Sequence, residues 1–169
     1  MAASANILVS NAAFQHSSAK LEDLTTETFD RTFKRNVYAM FWQTKAALPH
    51  MRPGSSIICT TSVQAYTPSA NLVDYGMTKA AIRNFVEAMA RQLAPRGIRI
   101  NGVAPGPIWT PLQVIGDSAD AATNVGSGNP MKRPGQPIEL ASIYVLLASN
   151  DSSYSTGQVY GATGGAGGA

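Results

Sequence analysis

Four short apolar runs punctuate this chain, and stretches of helical spacing or polar loop separate them. Asn6–Ser10, with Ile7-Leu8-Val9 at its centre, reads as a buried strand running into Asn11-Ala12-Ala13. Ser56–Thr61 is apolar and β-branched and reads as a second strand. Ile98–Val103 is a third, stopped by Ala104-Pro105-Gly106-Pro107, and Gly157–Ala162 is the last. After a polar loop over 14–24, Thr25 is the expected N-cap of a helix from about Thr26 to His50, with Glu27 favouring its first turn. Its expected apolar face is Phe29, Phe33, Val37, Met40 and Phe41, and Pro53-Gly54 breaks it. A second long helix is expected from about Leu72 to Ala94, on a stripe of Ile82, Phe85, Met89 and Leu93, closed by Pro95 and Gly97. A third is expected over Pro137–Ser149, with Glu139 near its start. Residues 112–130 are weakly periodic and read as a mobile, lid-like insertion, and 163–169 as a disordered tail.

Strands alternating with helices predict an α/β fold with a parallel sheet joined by right-handed crossovers. In such sheets ligands bind beyond the C-terminal ends of the strands, so the residues just after each strand carry the expected chemistry. At 169 residues the chain is one domain. Charged residues make up 14% against roughly 25% in ordinary soluble domains. With 44% apolar residues the chain can build a core, which excludes disorder as its main state. The net charge of +3 comes from scattered residues with no basic run, which argues against a nucleic-acid partner. Cys59 is the one cysteine, so an internal disulfide and a cysteine zinc site are excluded. No apolar stretch approaches the roughly 20 residues that span a bilayer, no secretory leader is seen, and a cytoplasmic setting is expected.

The strand ends supply a constellation. Ser10-Asn11-Ala12-Ala13 follows the first strand, Ser62 the second, and Pro105-Gly106 the third; Tyr75-Gly76-Met77-Thr78-Lys79 opens the second long helix. Tyr75 and Lys79 are four apart and share a helix face. An ammonium beside a phenol favours the phenolate and is expected to bring its pKa down toward working pH. Such a tyrosine can protonate a carbonyl oxygen or take a proton from an alcohol. Ser62 could hydrogen-bond the same oxygen, and Asn36, inside the first helix, could hold a water linking Lys79 to solvent. Taken singly, each has an ordinary reading: a helix-surface pair, a turn serine, a solvated asparagine. Their joint order at the expected strand ends is what carries the argument.

In that order the chain resembles the downstream half of the short-chain dehydrogenase/reductases, over about residues 6–165. The resemblance extends through Pro130-Met131-Lys132-Arg133-Pro134-Gly135-Gln136-Pro137, Glu139-Leu140-Ala141 and Tyr154-Ser155-Thr156-Gly157-Gln158-Val159. The segment Ala104–Thr110 looks closest to a bacterial-type subgroup with glucose-dehydrogenase-like and stress-protein-like members. The resemblance implies a partial Rossmann-like, doubly wound parallel sheet and a reaction that moves a hydride between NAD or NADP and an alcohol or carbonyl carbon. It implies Tyr75 as general acid/base, and Lys79 as the group that tunes it and binds the nicotinamide ribose. It further implies Ser62 as the substrate-oxygen ligand and Asn36 as part of a proton relay. Asn11 and Ala12 would lie along the cofactor, and Pro105, Gly106, Ile108 and Thr110 at its nicotinamide end. The implied partners are a small alcohol or carbonyl substrate and, through the two long helices, further copies of the chain.

The family's Gly-rich turn, its first strands and helices, and the residue that chooses NAD or NADP have no counterpart here. The chain therefore reads as a single truncated domain, the catalytic half. Gly161-x-x-x-Gly165-x-Gly167 fits a glycine pattern, but no helix is expected after it to hold a phosphate. Besides the oxidoreductase, two readings stand: a silent fragment acting as an interaction or dimerisation module, and a dehydratase or epimerase using the same tyrosine. His16 and His50 carry only a surface or helix-end reading. Trp109 could line the pocket or simply pack. No metal site is expected.

Overall fold

The computed structural model describes residues 6–115 and 124–167. Four parallel strands form one sheet in chain order: β1 (Ile7–Ser10), β2 (Ser56–Thr60), β3 (Arg99–Pro105) and β4 (Val159–Ala162). Leu8 lies beside Ile57, Ile57 beside Ile100, and Gly102 beside Val159. The crossover from β1 to β2 carries α1 (Thr26–Phe33), a π-helical turn (Lys34–Tyr38) and α2 (Ala39–Ala47). The next carries α3 (Val73–Leu93), and the last carries α4 (Pro111–Ile115) and α5 (Pro137–Ala148).

Sheet pleating sends alternate side chains to opposite faces. Ile57, Cys59 and Ile100 face Met40 of α2 and Ile82, Val86, Ala90 and Leu93 of α3. Ile58 and Val103 face Leu147 of α5. Both faces of β2 and β3 are therefore covered, which is the α/β, Rossmann-like, doubly wound arrangement that the alternation predicts. Truncating a side chain such as Ile100 in this core typically costs about 2–5 kcal/mol. The α5 layer stops short of β1: Ile7 and Val9 are 53% and 46% exposed, and Val145 of α5 is 66% exposed.

The expected elements form, with ends moved by a residue or two. Thr25 caps α1, its hydroxyl accepting from Thr28 N at 3.2 Å. Gly97, at φ +68°, ends the turn after α3. The first long helix differs from expectation in one respect. Its buried positions are Thr32, Asn36, Met40 and Thr44, spaced four apart, while Phe41 is 45% exposed and Phe29 and Phe33 stack on each other half-buried. The buried stripe is mostly polar, so a search for apolar periodicity selects the neighbouring face.

Helix α4 forms at the start of the expected lid-like insertion; residues 116–123 of that insertion lie outside the described residues. Residues 163–167 of the expected tail turn back on the chain, Met131 N donating to Gly164 O at 3.1 Å. Residues 168 and 169 lie outside the described residues.

Candidate functional site

The first three strands end on one cavity of about 790 Å³. Asn11 and Ala12 follow β1, Ser62 follows β2, Gly106 and Ile108 follow β3, and all line it. Pro105, Thr110, Tyr75 and Lys79 line it too. Of the residues given an expected catalytic or cofactor role, Asn36 is the one that does not.

Tyr75 and Lys79 are one turn apart on α3, with Nζ 5.3 Å from the ring centroid, and both are buried. Lys79 Nζ donates to Thr60 O at 2.9 Å, its one hydrogen-bond partner among the described residues. Burial brings the amine down to about 8. Tyr75 moves opposite to the expected direction: removal from water pushes the phenol up to about 12, and the Ser62 hydroxyl pulls the other way. The expectation that Lys79 brings the phenol down is corrected. In a site this dry the loss of hydration dominates the phenol, and Lys79 is not among the groups that offset it. Ser62 also caps the short turn after β2, its oxygen accepting from Gln64 N at 3.2 Å, and it lies 3.5 Å from Pro105 O.

Asn36 sits at the centre of the π-helical turn and is 2% exposed. Its Oδ1 accepts from Phe14 N at 2.7 Å, and its Nδ2 donates to Phe14 O and Thr78 Oγ1, both at 2.9 Å. Both side-chain donors are thus spent on holding the loop after β1 against α3. Trp109 is 45% exposed and is not among the lining residues. His16 and His50 are exposed. Gly161 lies in β4, and Gly164 and Gly165 in the turn after it.

The site also contains groups that motif reading overlooked. Thr60 Oγ1 donates to Asn11 Oδ1 at 2.8 Å and lies 2.6 Å from the hydroxyl of Tyr144, which faces the cavity from α5. Gln15 is buried and donates to Leu112 O at 3.1 Å, tying the loop after β1 to α4. The signal for Tyr144 is weak, since it reads as part of an apolar stripe. A glutamine four residues after the strand-end asparagine is likewise unremarked by any spacing rule.

With this geometry in place, the comparisons with known proteins decide the family. Residues 2–167 match the family described as enoyl-(acyl carrier protein) reductase. The chain is 51% identical over 162 residues to NADPH-dependent aldehyde reductase 1 of Arabidopsis thaliana, covering 95% of this chain and 56% of that protein. It is 49% identical over 163 residues to the glucose and ribitol dehydrogenase of Daucus carota, covering 96% and 56%. The solved structure of the angucycline C-6 ketoreductase LanV with bound NADP superposes with a TM-score of 0.88 at 30% identity, covering 96% of this chain and 62% of that one. The chain belongs to the short-chain dehydrogenase/reductase family. It spans about half the length of the curated relatives it matches.

The residues present fit one end of a dinucleotide. Lys79 is a buried amine with donors to spare at the cavity wall, suited to vicinal hydroxyls such as those of a ribose. The backbone after β3 approaches the 162–163 segment closely: Gly106 N donates to Ala162 O at 2.9 Å, and a Cβ on Gly106 would stand 3.0 Å from Thr163 Cα. For a pyrophosphate there is no Gly-rich turn leading into a helix N-terminus at the strand ends among the described residues. No group of three or more metal-ligating side chains occurs among the described residues, and no helix there is long and apolar enough to cross a membrane.

Proposed function

We propose that this chain carries the proton-handling site of an NAD(P)-dependent oxidoreductase that interconverts an alcohol and a carbonyl. The observation that carries the reading is the convergence of Ser62, Tyr75 and Lys79 on one cavity at the C-terminal ends of β1–β3. A phenol pushed up to about 12 keeps its proton throughout the working range, the form that reducing a carbonyl requires. Ser62 orients the substrate oxygen against it. Lys79, brought to about 8, can give up and regain a proton near neutral pH and can hold ribose hydroxyls. The nicotinamide, when bound, supplies or accepts the hydride. Asn11, Ala12, Pro105, Gly106, Ile108 and Thr110 are the proposed cofactor wall. Asn36 supports the site from behind the loop after β1.

The relatives named for aldehyde reduction and for glucose and ribitol dehydrogenation support small hydroxylated or carbonyl substrates. The exposed Phe41 and Trp42 of α2 and Met77 of α3 support assembly with further copies through these helices. A cytoplasmic setting fits the single buried, unpaired cysteine.

Titration of NADH and NADPH into the purified chain, followed by nucleotide fluorescence, is the direct test. Saturable binding, with turnover of an aldehyde that Tyr75→Phe abolishes, supports the enzyme. No binding at millimolar nucleotide supports the second reading, an interaction module. That reading is favoured by the apolar, half-exposed edge strand β1.

A further inference from the structure

Two buried side-chain bridges join the first helical crossover to α3, and they have the same spacing. Thr32 meets Asp74, the hydroxyl donating to Oδ2 at 2.5 Å. One turn further along both elements, Asn36 meets Thr78, Nδ2 donating to Oγ1 at 2.9 Å. Thr32, Asn36, Asp74 and Thr78 are all at most 2% exposed, and none of them lines the cavity.

The α3 ends of these bridges grip one residue. Asp74 Oδ1 accepts the backbone N–H of Tyr75 at 2.8 Å, and Thr78 Oγ1 donates to the backbone carbonyl of Tyr75 at 2.7 Å. Tyr75 lies in the first turn of α3, where N–H groups lack intrahelical partners and helix ends fray. The N-cap residue Leu72 offers no side-chain cap. Asp74 fills that gap from inside the turn, and a carboxylate there also suits the helix dipole. Its other oxygen is fixed to α1 through Thr32, whose single hydroxyl proton has Thr28 O, at 2.9 Å, as its alternative acceptor.

We infer that Asp74, held by Thr32, is a positioning residue for Tyr75. It ties the first turn of α3 to α1, so that the phenol keeps a single placement against Ser62 and Lys79. The inference rests on the acid/base reading of Tyr75 proposed above. The bridge needs an acceptor for Tyr75 N–H and a partner for the Thr32 hydroxyl, and it does not need a charge. In Asp74→Asn, Oδ1 still accepts from Tyr75, Nδ2 donates to Thr32 Oγ1, and the threonine proton goes to Thr28 O. In Asp74→Ala and Thr32→Val the tether is cut.

The test uses the full chain labelled with 3-fluorotyrosine, whose six tyrosines give six 19F resonances; loss of one in Tyr75→Phe assigns that of Tyr75. In Asp74→Ala and Thr32→Val the Tyr75 resonance shifts or broadens while the other five hold, and Asp74→Asn leaves all six in place. Where turnover with NADPH and an aldehyde is measurable, the two tether-cutting variants lose roughly 10²-fold in kcat with little change in KM, as a misplaced acid does, and Asp74→Asn restores it. A Tyr75 resonance unmoved in folded Asp74→Ala overturns the inference. So does a displaced resonance in Asp74→Asn, and so does collapse of all six in both tether-cutting variants, which would make the pair a stability element only. Absence of turnover in the parent chain counts against the proposed activity, while the 19F arm still decides the placement.

Discussion

Lys79 reaches from α3 to the last carbonyl of β2, Nζ donating to Thr60 O at 2.9 Å, and the amine is 2% exposed. One hydrogen bond only partly replaces its hydration, and burial brings the amine down from the ordinary lysine value to about 8.

This sets a pH dependence with a definite sign. Between about pH 8 and the ordinary lysine value of 10.5, the unfolded chain holds the Lys79 proton and the folded chain has released it. Raising the pH through that window stabilises the fold. Tyr75, ordinarily near 10 and here about 12, acts oppositely: between those values the folded chain holds the proton and stability declines. Urea unfolding of the parent and of Lys79→Met at pH 7.5 and 9.5 separates the lysine contribution. The parent gains on the variant at the higher pH. A gap that does not change with pH would show that the amine is not desolvated as described.

Ser62→Ala removes the hydroxyl that pulls Tyr75 down and caps Gln64 N. The phenol then climbs further, and the cap loss costs about 1 kcal/mol. Aldehyde reduction, if the chain supports it, falls roughly 10²-fold for want of the oxygen-binding donor. Steady-state rates beside a denaturation curve check both parts. A variant with unchanged rate contradicts the role given to Ser62.

The strands were legible because β2 and β3 are covered on both faces: Ile57-Ile58-Cys59 stands out as an unbroken apolar run, and Ile98 to Val103, though Arg99, Asn101 and Gly102 interrupt it, is bounded by Pro95 and Gly97 before and Pro105-Gly106 after. Ser62, Tyr75 and Lys79 were legible because α/β sheets gather ligands at strand ends and because i, i+4 residues share a helix face. What stayed hidden was burial of polar groups. The Thr32–Asn36–Met40–Thr44 stripe has no apolar period to detect, and Asp74 looks like an ordinary first-turn acid. The direction of the Tyr75 shift depends on how little water reaches the phenol, a tertiary property that Tyr-x-x-x-Lys does not encode.

Asn36→Ala should cost about 2–4 kcal/mol, since it strands the paired backbone groups of Phe14 and one side of Thr78. Thr78→Val, which leaves the Asn36–Phe14 pair intact, should cost less. Chemical denaturation of the two variants ranks them. The reverse order would move the main contribution from the Phe14 clamp to the α3 bridge.

The chain carries two exposed apolar surfaces, and their self-association should differ in kind. On β1, Ile7 and Val9 point to the face that α5 leaves uncovered, and the strand offers its outer backbone groups unpaired among the described residues. An apolar edge strand templates further strands, and seating β1 of one copy on the β4 edge of another leaves a β1 edge free each time, so association of that kind is open-ended and grows with concentration. On α2, Phe41 and Trp42 present aromatic side chains on a helix face, which suits a closed, discrete contact. Ile7→Lys places a charge on the edge and should suppress the growing species in sedimentation velocity while leaving folding stability within about 0.5 kcal/mol. Trp42→Lys should instead remove a discrete dimer or tetramer boundary and leave the slow growth in place. If Ile7→Lys abolishes the discrete species, the edge strand and not the helices holds the copies together, and the assembly proposed through α2 and α3 falls.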